Sequence, residues 1–119
     1  MIAGIMGLSG VALGAFGAHM LQDLFGKLGT ERFWQTGTTY HLVHAVVLLI
    51  ISGWKPLPRL AYYLIFAGII LFSGSLYALA LTYAKWIGAI TPLGGLAFLF
   101  GWLALVFSLK NEKSLDRHS

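Results

Sequence analysis

The chain has 119 residues, of which 58% are hydrophobic and only 10% charged, with no cysteine. Soluble domains carry about a quarter charged residues, so an ordinary water-soluble domain is excluded, and the missing thiols exclude disulfides, thiolate metal sites and thiol redox chemistry. The net charge of +4 comes from basic residues that form no continuous patch. Lys and Arg flanking membrane spans produce the same balance, so nucleic acid is not an expected partner.

Asp, Glu, Lys and Arg are absent from 1–22, 33–54, 60–84 and 86–109. Each run exceeds the roughly 18 apolar residues that mark a membrane-spanning candidate. The pattern predicts an all-α fold, an integral membrane four-helix transmembrane bundle. It would form a single membrane domain over 1–119, with spans at about 2–21, 33–54, 60–84 and 88–109. The first run has no basic flank and is longer than a signal-peptide core, so it is expected to stay as the first helix.

In that first helix Ala3, Gly7, Gly10, Gly14 and Gly17 recur every three or four residues, a narrow stripe that lets another backbone approach closely. The stretch 22–32 holds Asp23, Lys27, Glu31 and Arg32 among Gly26 and Gly29 and reads as a polar turn, with Thr30 as N-cap of the second span. That span begins with polar residues. Trp34, Gly37, Thr38, His41, His44, Ala45, Leu48 and Ser52 share one face, which should look inward. Lys55-Pro56-Leu57-Pro58-Arg59 is a short stiff connection. The third span carries Ser73, Gly74, Ser75 and Tyr77, with Gly74 and Ala78 as a small-xxx-small pair. Thr91-Pro92 reads as N-cap and first helical residue of the fourth span. In that span Gly94, Ala97, Gly101, Ala104 and Ser108 repeat the small-residue spacing of the first helix, so the first and fourth helices are expected to pack together. The tail from Lys110 is charged and expected to fray.

Four spans put both termini on one side, with Lys55, Arg59, Lys110, Lys113 and Arg117; the other side has Lys27, Arg32 and Lys85. Five basic residues against three place the termini in the cytoplasm by the positive-inside rule.

His41 and His44 lie one helical turn apart on one face, and ionisable side chains inside a membrane point to function by default. From the helical rise they lie about 12 and 16 Å deep, level with Tyr77 and Ser73 respectively. Hydrogen bonds His41–Tyr77 and His44–Ser73 are therefore expected. The candidate ligand-binding or buried polar cluster is His19, Tyr40, His41, His44, Ser73, Ser75, Tyr77 and Thr91, and the helix-packing glycines are Gly7, Gly10, Gly14, Gly17, Gly74, Gly94 and Gly101. Four readings of the histidines stay open. They are a metal or haem site using His41, His44 and His19, a proton relay or quinone pocket, a lipid site between helices, and buried histidines that fix helix register. No deep carboxylate completes a serine triad, no catalytic residues are assigned, and Trp102 reads as packing or interfacial.

Gly14-Ala15-Phe16-Gly17-Ala18-His19, Tyr40-His41 with His44-Ala45, Ser73-Gly74-Ser75-Leu76-Tyr77, and Thr91-Pro92-Leu93-Gly94-Gly95 with Gly101-Trp102 resemble the YgdD / transmembrane-protein-256-like family, domain-of-unknown-function family 423. The resemblance covers nearly the whole chain. It implies a small four-pass protein of bacterial inner membranes, with relatives in mitochondria, and no settled catalytic activity. The positions it carries over are His19, Tyr40, His44, Ser73, Gly74, Tyr77, Thr91, Pro92, Gly94 and Gly95. The expected function is a non-enzymatic membrane integrity or homeostasis protein that binds a lipid or partner between helices and has room to form homo-oligomers. The alternative is a histidine-based haem, metal, quinone or proton-transfer site in the outer half of the bundle; no cofactor is assigned.

Overall fold

A computed structural model describes residues 1–118, with side chains described for 1–110; the side chains of Lys113 and Arg117, counted above for topology, lie outside the described residues. The chain forms α1 (Ile2–Met20), α2 (Gln22–Leu28), α3 (Glu31–Ser52), α4 (Arg59–Gly68), a π-helical turn (Ile69–Ser73), α5 (Gly74–Thr82), a 3₁₀ turn (Lys85–Ala89) and α6 (Thr91–His118). No strand occurs among the described residues. Three stretches are long and apolar enough to cross a membrane: Ile2–Met20, Arg59–Thr82 and Lys85–Lys110. The 22 residues of α3 would reach about 33 Å, but their polar first half dilutes the helix's hydropathy.

Three boundaries differ from the sequence expectation. The stretch read as a turn contains the helix α2, because Leu21, Leu24, Phe25 and Leu28 follow the i, i+3, i+4, i+7 spacing of an apolar helix face. Phe25 is buried against Trp34 at 5.5 Å between ring centroids. Gly29 ends α2 at φ 68°, its N–H donating to the Phe25 carbonyl, a left-handed stop that glycine adopts without a Cβ penalty. Thr91 is inside α6 rather than capping it, since Leu93 and Gly94 donate to the Ile90 carbonyl. At the far end α6 runs on to His118, as residues 102–118 contain neither glycine nor proline to stop it.

The helices α3 and α4–α5 form the central pair; α1 packs on α3, and α6 on α4 and the π turn. One core cluster joins Ala3, Leu48, Ile51, Ala61, Tyr62, Ile65 and Leu105, which gathers the start of α1, the end of α3, the start of α4 and the latter part of α6 at one end. A second joins Phe25, Trp34 and Ala80 at the other. The buried Thr30 hydroxyl ties that second end together by donating to the Ala80 carbonyl at 2.6 Å. Large apolar side chains such as Leu8, Leu49 and Leu99 point outward, more than 60% exposed, the surface a bilayer covers rather than water.

Among the described residues α1 and α6 share the core cluster at one end but do not form the expected stripe-to-stripe pairing. Each glycine stripe instead receives residues of another element, α3 for the stripe of α1, and α4 and the π turn for that of α6. A Cβ on Gly10 would lie 2.7 Å from Leu42, one on Gly14 would lie 3.0 Å from Thr38, and one on Gly17 would strike the Trp34 indole. On α6, a Cβ on Gly94 would run into the backbone of Phe72, and one on Gly101 would lie 2.7 Å from Ile65. A groove of small residues is complementary to a ridge, not to another groove. Gly7 and Gly74 have no neighbour within 4 Å of a built Cβ, so they take no part in these close approaches.

This divides the glycines into two testable groups. Gly94→Ala should destabilise the protein by about 1–3 kcal/mol, the cost of overpacking. Gly7→Ala should leave stability unchanged or slightly raised, alanine being the better helix former. Unfolding in mild detergent measures both, and equal stabilities would contradict the packing.

Candidate functional site

The two histidines are fixed by opposite kinds of partner. His44 Nδ1 lies 2.8 Å from the Tyr40 carbonyl oxygen, which only accepts, so Nδ1 must carry the proton. The Trp102 indole N–H, which only donates, points at His44 Nε2 from 3.1 Å, so Nε2 must be bare. One tautomer of the neutral ring satisfies both bonds. The ring also stacks on Phe98 at 3.8 Å between centroids.

His41 stands between two hydroxyls, with Tyr77 Oη 2.9 Å from Nδ1 and Ser9 Oγ 3.1 Å from Nε2. Ser9 has one proton and donates it to the Met6 carbonyl at 3.1 Å. It therefore accepts from His41 Nε2–H, and Nδ1 accepts from the Tyr77 hydroxyl. The resulting series, Tyr77 to His41 to Ser9 to the Met6 carbonyl, crosses from α5 through α3 to α1. Together the two imidazoles tie α3 to α1, α5 and α6.

The expected His41–Tyr77 hydrogen bond is present, whereas His44 and Ser73 are not partners. Ser73, fully buried in the π turn, donates to the Gly37 carbonyl at 2.7 Å. Depth matched these two residues, but the indole of Trp102 and a free carbonyl made better partners than each other. Ser75 donates to the Phe72 carbonyl at 2.9 Å and meets the Thr91 hydroxyl at 2.6 Å, linking α5 to α6. Tyr40 is partly exposed, its ring stacked on His44. His19 lies exposed on the last turn of α1. Among the described residues no three His, Cys, Asp or Glu side chains converge as metal ligands, and no buried side-chain polar atom lacks a hydrogen-bond partner.

A further opening lies elsewhere, at the end opposite the termini. A cleft of about 390 Å³ runs between α1, α2 and α3, within the size range of small-ligand sites. Gly14, Gly17 and Ala18 make one wall, Gln22 and Phe25 close it from α2, and Glu31, Trp34, Gln35, Thr38 and Thr39 line the α3 side. Gly17 shapes this wall: without a side chain there, the Trp34 indole reaches across to donate to the Leu13 carbonyl at 2.9 Å. A shallower, mostly apolar groove of about 330 Å³ runs past Tyr40, His44, Phe98 and Trp102. Sequence reasoning missed Ser9, Trp102 and the α3 side of the cleft. The signal for the last was the polar run Glu31–Gln35–Thr38–Thr39, spaced on one face by steps of four, three and one.

The profile of the family described as "Protein of unknown function (DUF423)" matches residues 13–95. The chain belongs to this family. It is 44% identical over 114 residues to the UPF0382 membrane protein SAB0533 of Staphylococcus aureus, covering 91% of each chain. It is likewise 44% identical over 115 residues to the UPF0382 membrane protein YwdK of Bacillus subtilis, covering 89% of this chain and 90% of that one. No solved structure matches. These relatives are membrane proteins by name, so this DUF423 chain is an integral membrane protein, and the polar ties just described lie among helices of that kind.

The histidine bonds predict measurable coupling. In a double-mutant cycle of His41→Phe with Tyr77→Phe, unfolding in detergent should show a favourable coupling of about 0.6–2 kcal/mol, the range for interhelical hydrogen bonds in membranes. The pair His41→Phe with Trp102→Phe should be additive. Equal coupling in both pairs would overturn the assignment.

Proposed function

We propose that this chain is a non-enzymatic four-span protein of the bacterial cytoplasmic membrane, both termini inside, that supports membrane integrity by holding a lipid or similar amphiphile in the α1–α2–α3 cleft. The observation carrying the reading is a roomy cleft with polar side chains on its α3 wall, while the ring nitrogens of His41 and His44 are already engaged elsewhere. In this reading α3 is the fourth span. Its buried face meets α1 and α4–α5, so protein covers the deep polar groups, and its upper polar face opens to the cleft. The wide apolar surface leaves room for homo-oligomers beside membrane lipids.

The series Tyr77–His41–Ser9 favours a second reading, proton transfer through the bundle. It ends, however, on the Met6 carbonyl, which has no proton to pass on. A haem or metal on His41 or His44 would have to displace an existing hydrogen bond at whichever nitrogen it took.

Because the chain has no cysteine, topology can be read with single introduced thiols. Lys27→Cys and Lys85→Cys should react with an impermeant maleimide from outside the cell, and Lys55→Cys only after permeabilisation; all three reacting alike would overturn the four-span reading. For the cleft, protein extracted in mild detergent should retain amphiphile adducts in native mass spectra, and Ala18→Phe, which fills the cleft, should lose them. Adducts unchanged in Ala18→Phe would remove the cleft as their site.

A further inference from the structure

The hydrogen-bonding capacity left in the cleft is one-sided. The Thr38 hydroxyl donates to the Trp34 carbonyl and the Thr39 hydroxyl to the Gln35 carbonyl, each at 2.9 Å, so both present only lone pairs outward. The Trp34 indole proton is committed to Leu13. Gln35 turns an amide N–H toward Glu31 Oε1 at 3.3 Å, which leaves its carbonyl oxygen free. As a carboxylate Glu31 accepts only, and no Lys or Arg lines the cleft. Among side chains, donors remain only on the amides of Gln22 and Gln35. Beside these acceptors stand the rings of Phe25 and Trp34, whose faces attract cations.

A ligand matched to this wall donates hydrogen bonds, accepts few and carries positive charge. A primary ammonium has three N–H donors and no acceptor. A neutral alcohol brings no charge to Glu31, and a quaternary ammonium brings charge without N–H donors. We propose that the cleft binds the primary ammonium group of an amphiphile, with Glu31 as the charge partner and Thr38, Thr39 and Gln35 as acceptors. The proposal rests on the reading of the cleft as an amphiphile site. The same chemistry is offered by the ethanolamine head group of a phospholipid and by a free alkylamine.

Glu31 also opens α3, where a carboxylate interacts favourably with the helix N-terminus. That role alone would leave ligand preference unmoved, so preference is the readout. Full-length protein in a neutral detergent is titrated with octylammonium, octyltrimethylammonium and octanol, and binding is followed by native mass spectrometry. Octylammonium should bind about tenfold or more tightly than the other two, the scale of a charge-assisted hydrogen bond. The preference should vanish in Glu31→Gln and shrink in Thr39→Val, an exposed site that keeps the measurement available if the first variant folds poorly. In nanodiscs, retention of phosphatidylethanolamine over phosphatidylcholine identifies the lipid head group as the source; a preference confined to octylammonium identifies a free amine. If all three octyl probes bind equally and Ala18→Phe abolishes them, the cleft holds amphiphiles and the ammonium proposal falls. If none binds, both readings fall.

Discussion

A buried imidazole must find partners for both ring nitrogens within the protein, because each orphaned polar group costs about 2–7 kcal/mol. This chain has two such rings one turn apart. The carbonyl of Tyr40 and the indole of Trp102 hold one; the hydroxyls of Tyr77 and Ser9 hold the other. Three of the four partners come from α1, α5 and α6, so satisfying the histidines of α3 constrains where those helices stand. A shift of one helix by a residue would carry a partner about 1.5 Å along the axis and 100° around it, breaking the bond.

Hydrogen bonds of this kind set register, but they do not supply close contact. In lipid there is no hydrophobic drive between helices, and association relies on dispersion between tightly approaching surfaces. The glycines provide that approach where a neighbour has something large to insert: Trp34 at Gly17, Phe98 at Gly68, the Phe72 backbone at Gly94. The π turn is held between two of them. Its Phe72 lies against Gly94 on one side, and its Ser73 donates to the Gly37 carbonyl on the other. Polar ties and glycine contacts therefore converge on the same stretch of the central pair, each holding the distance the other requires.

Much of this was legible in the sequence, and the gaps have physical causes. Charge-free runs revealed the long helices because the bilayer acts on each segment separately, through its own hydropathy. The shared face of Trp34, Gly37, Thr38, His41 and His44 revealed the inward side of α3 because it depends only on helical period. Partner choice depends on three-dimensional placement. Matching depths found Tyr77 for His41, but His44 turned to Trp102, a residue whose single donor looked equally suited to the interface. The small-residue stripes were visible, yet a stripe does not say what fills it; two similar stripes suggested each other when each was shaped for a bulky neighbour. The short helix α2 was hidden by its charges, although the Leu21, Leu24, Phe25, Leu28 spacing was there to be read.

Glu31, Gln35 and Thr39 lie exposed on α3, while its buried face carries Trp34 and His41. These exposed residues bond within α3: Thr39 returns to its own backbone, and Gln35 reaches Glu31 on the same helix. Ser9, Tyr77 and Trp102, by contrast, bridge helices. Polarity that folds back on its own helix contributes nothing to helix association, and along the cleft it stands beside a glycine wall that α2 closes with Phe25.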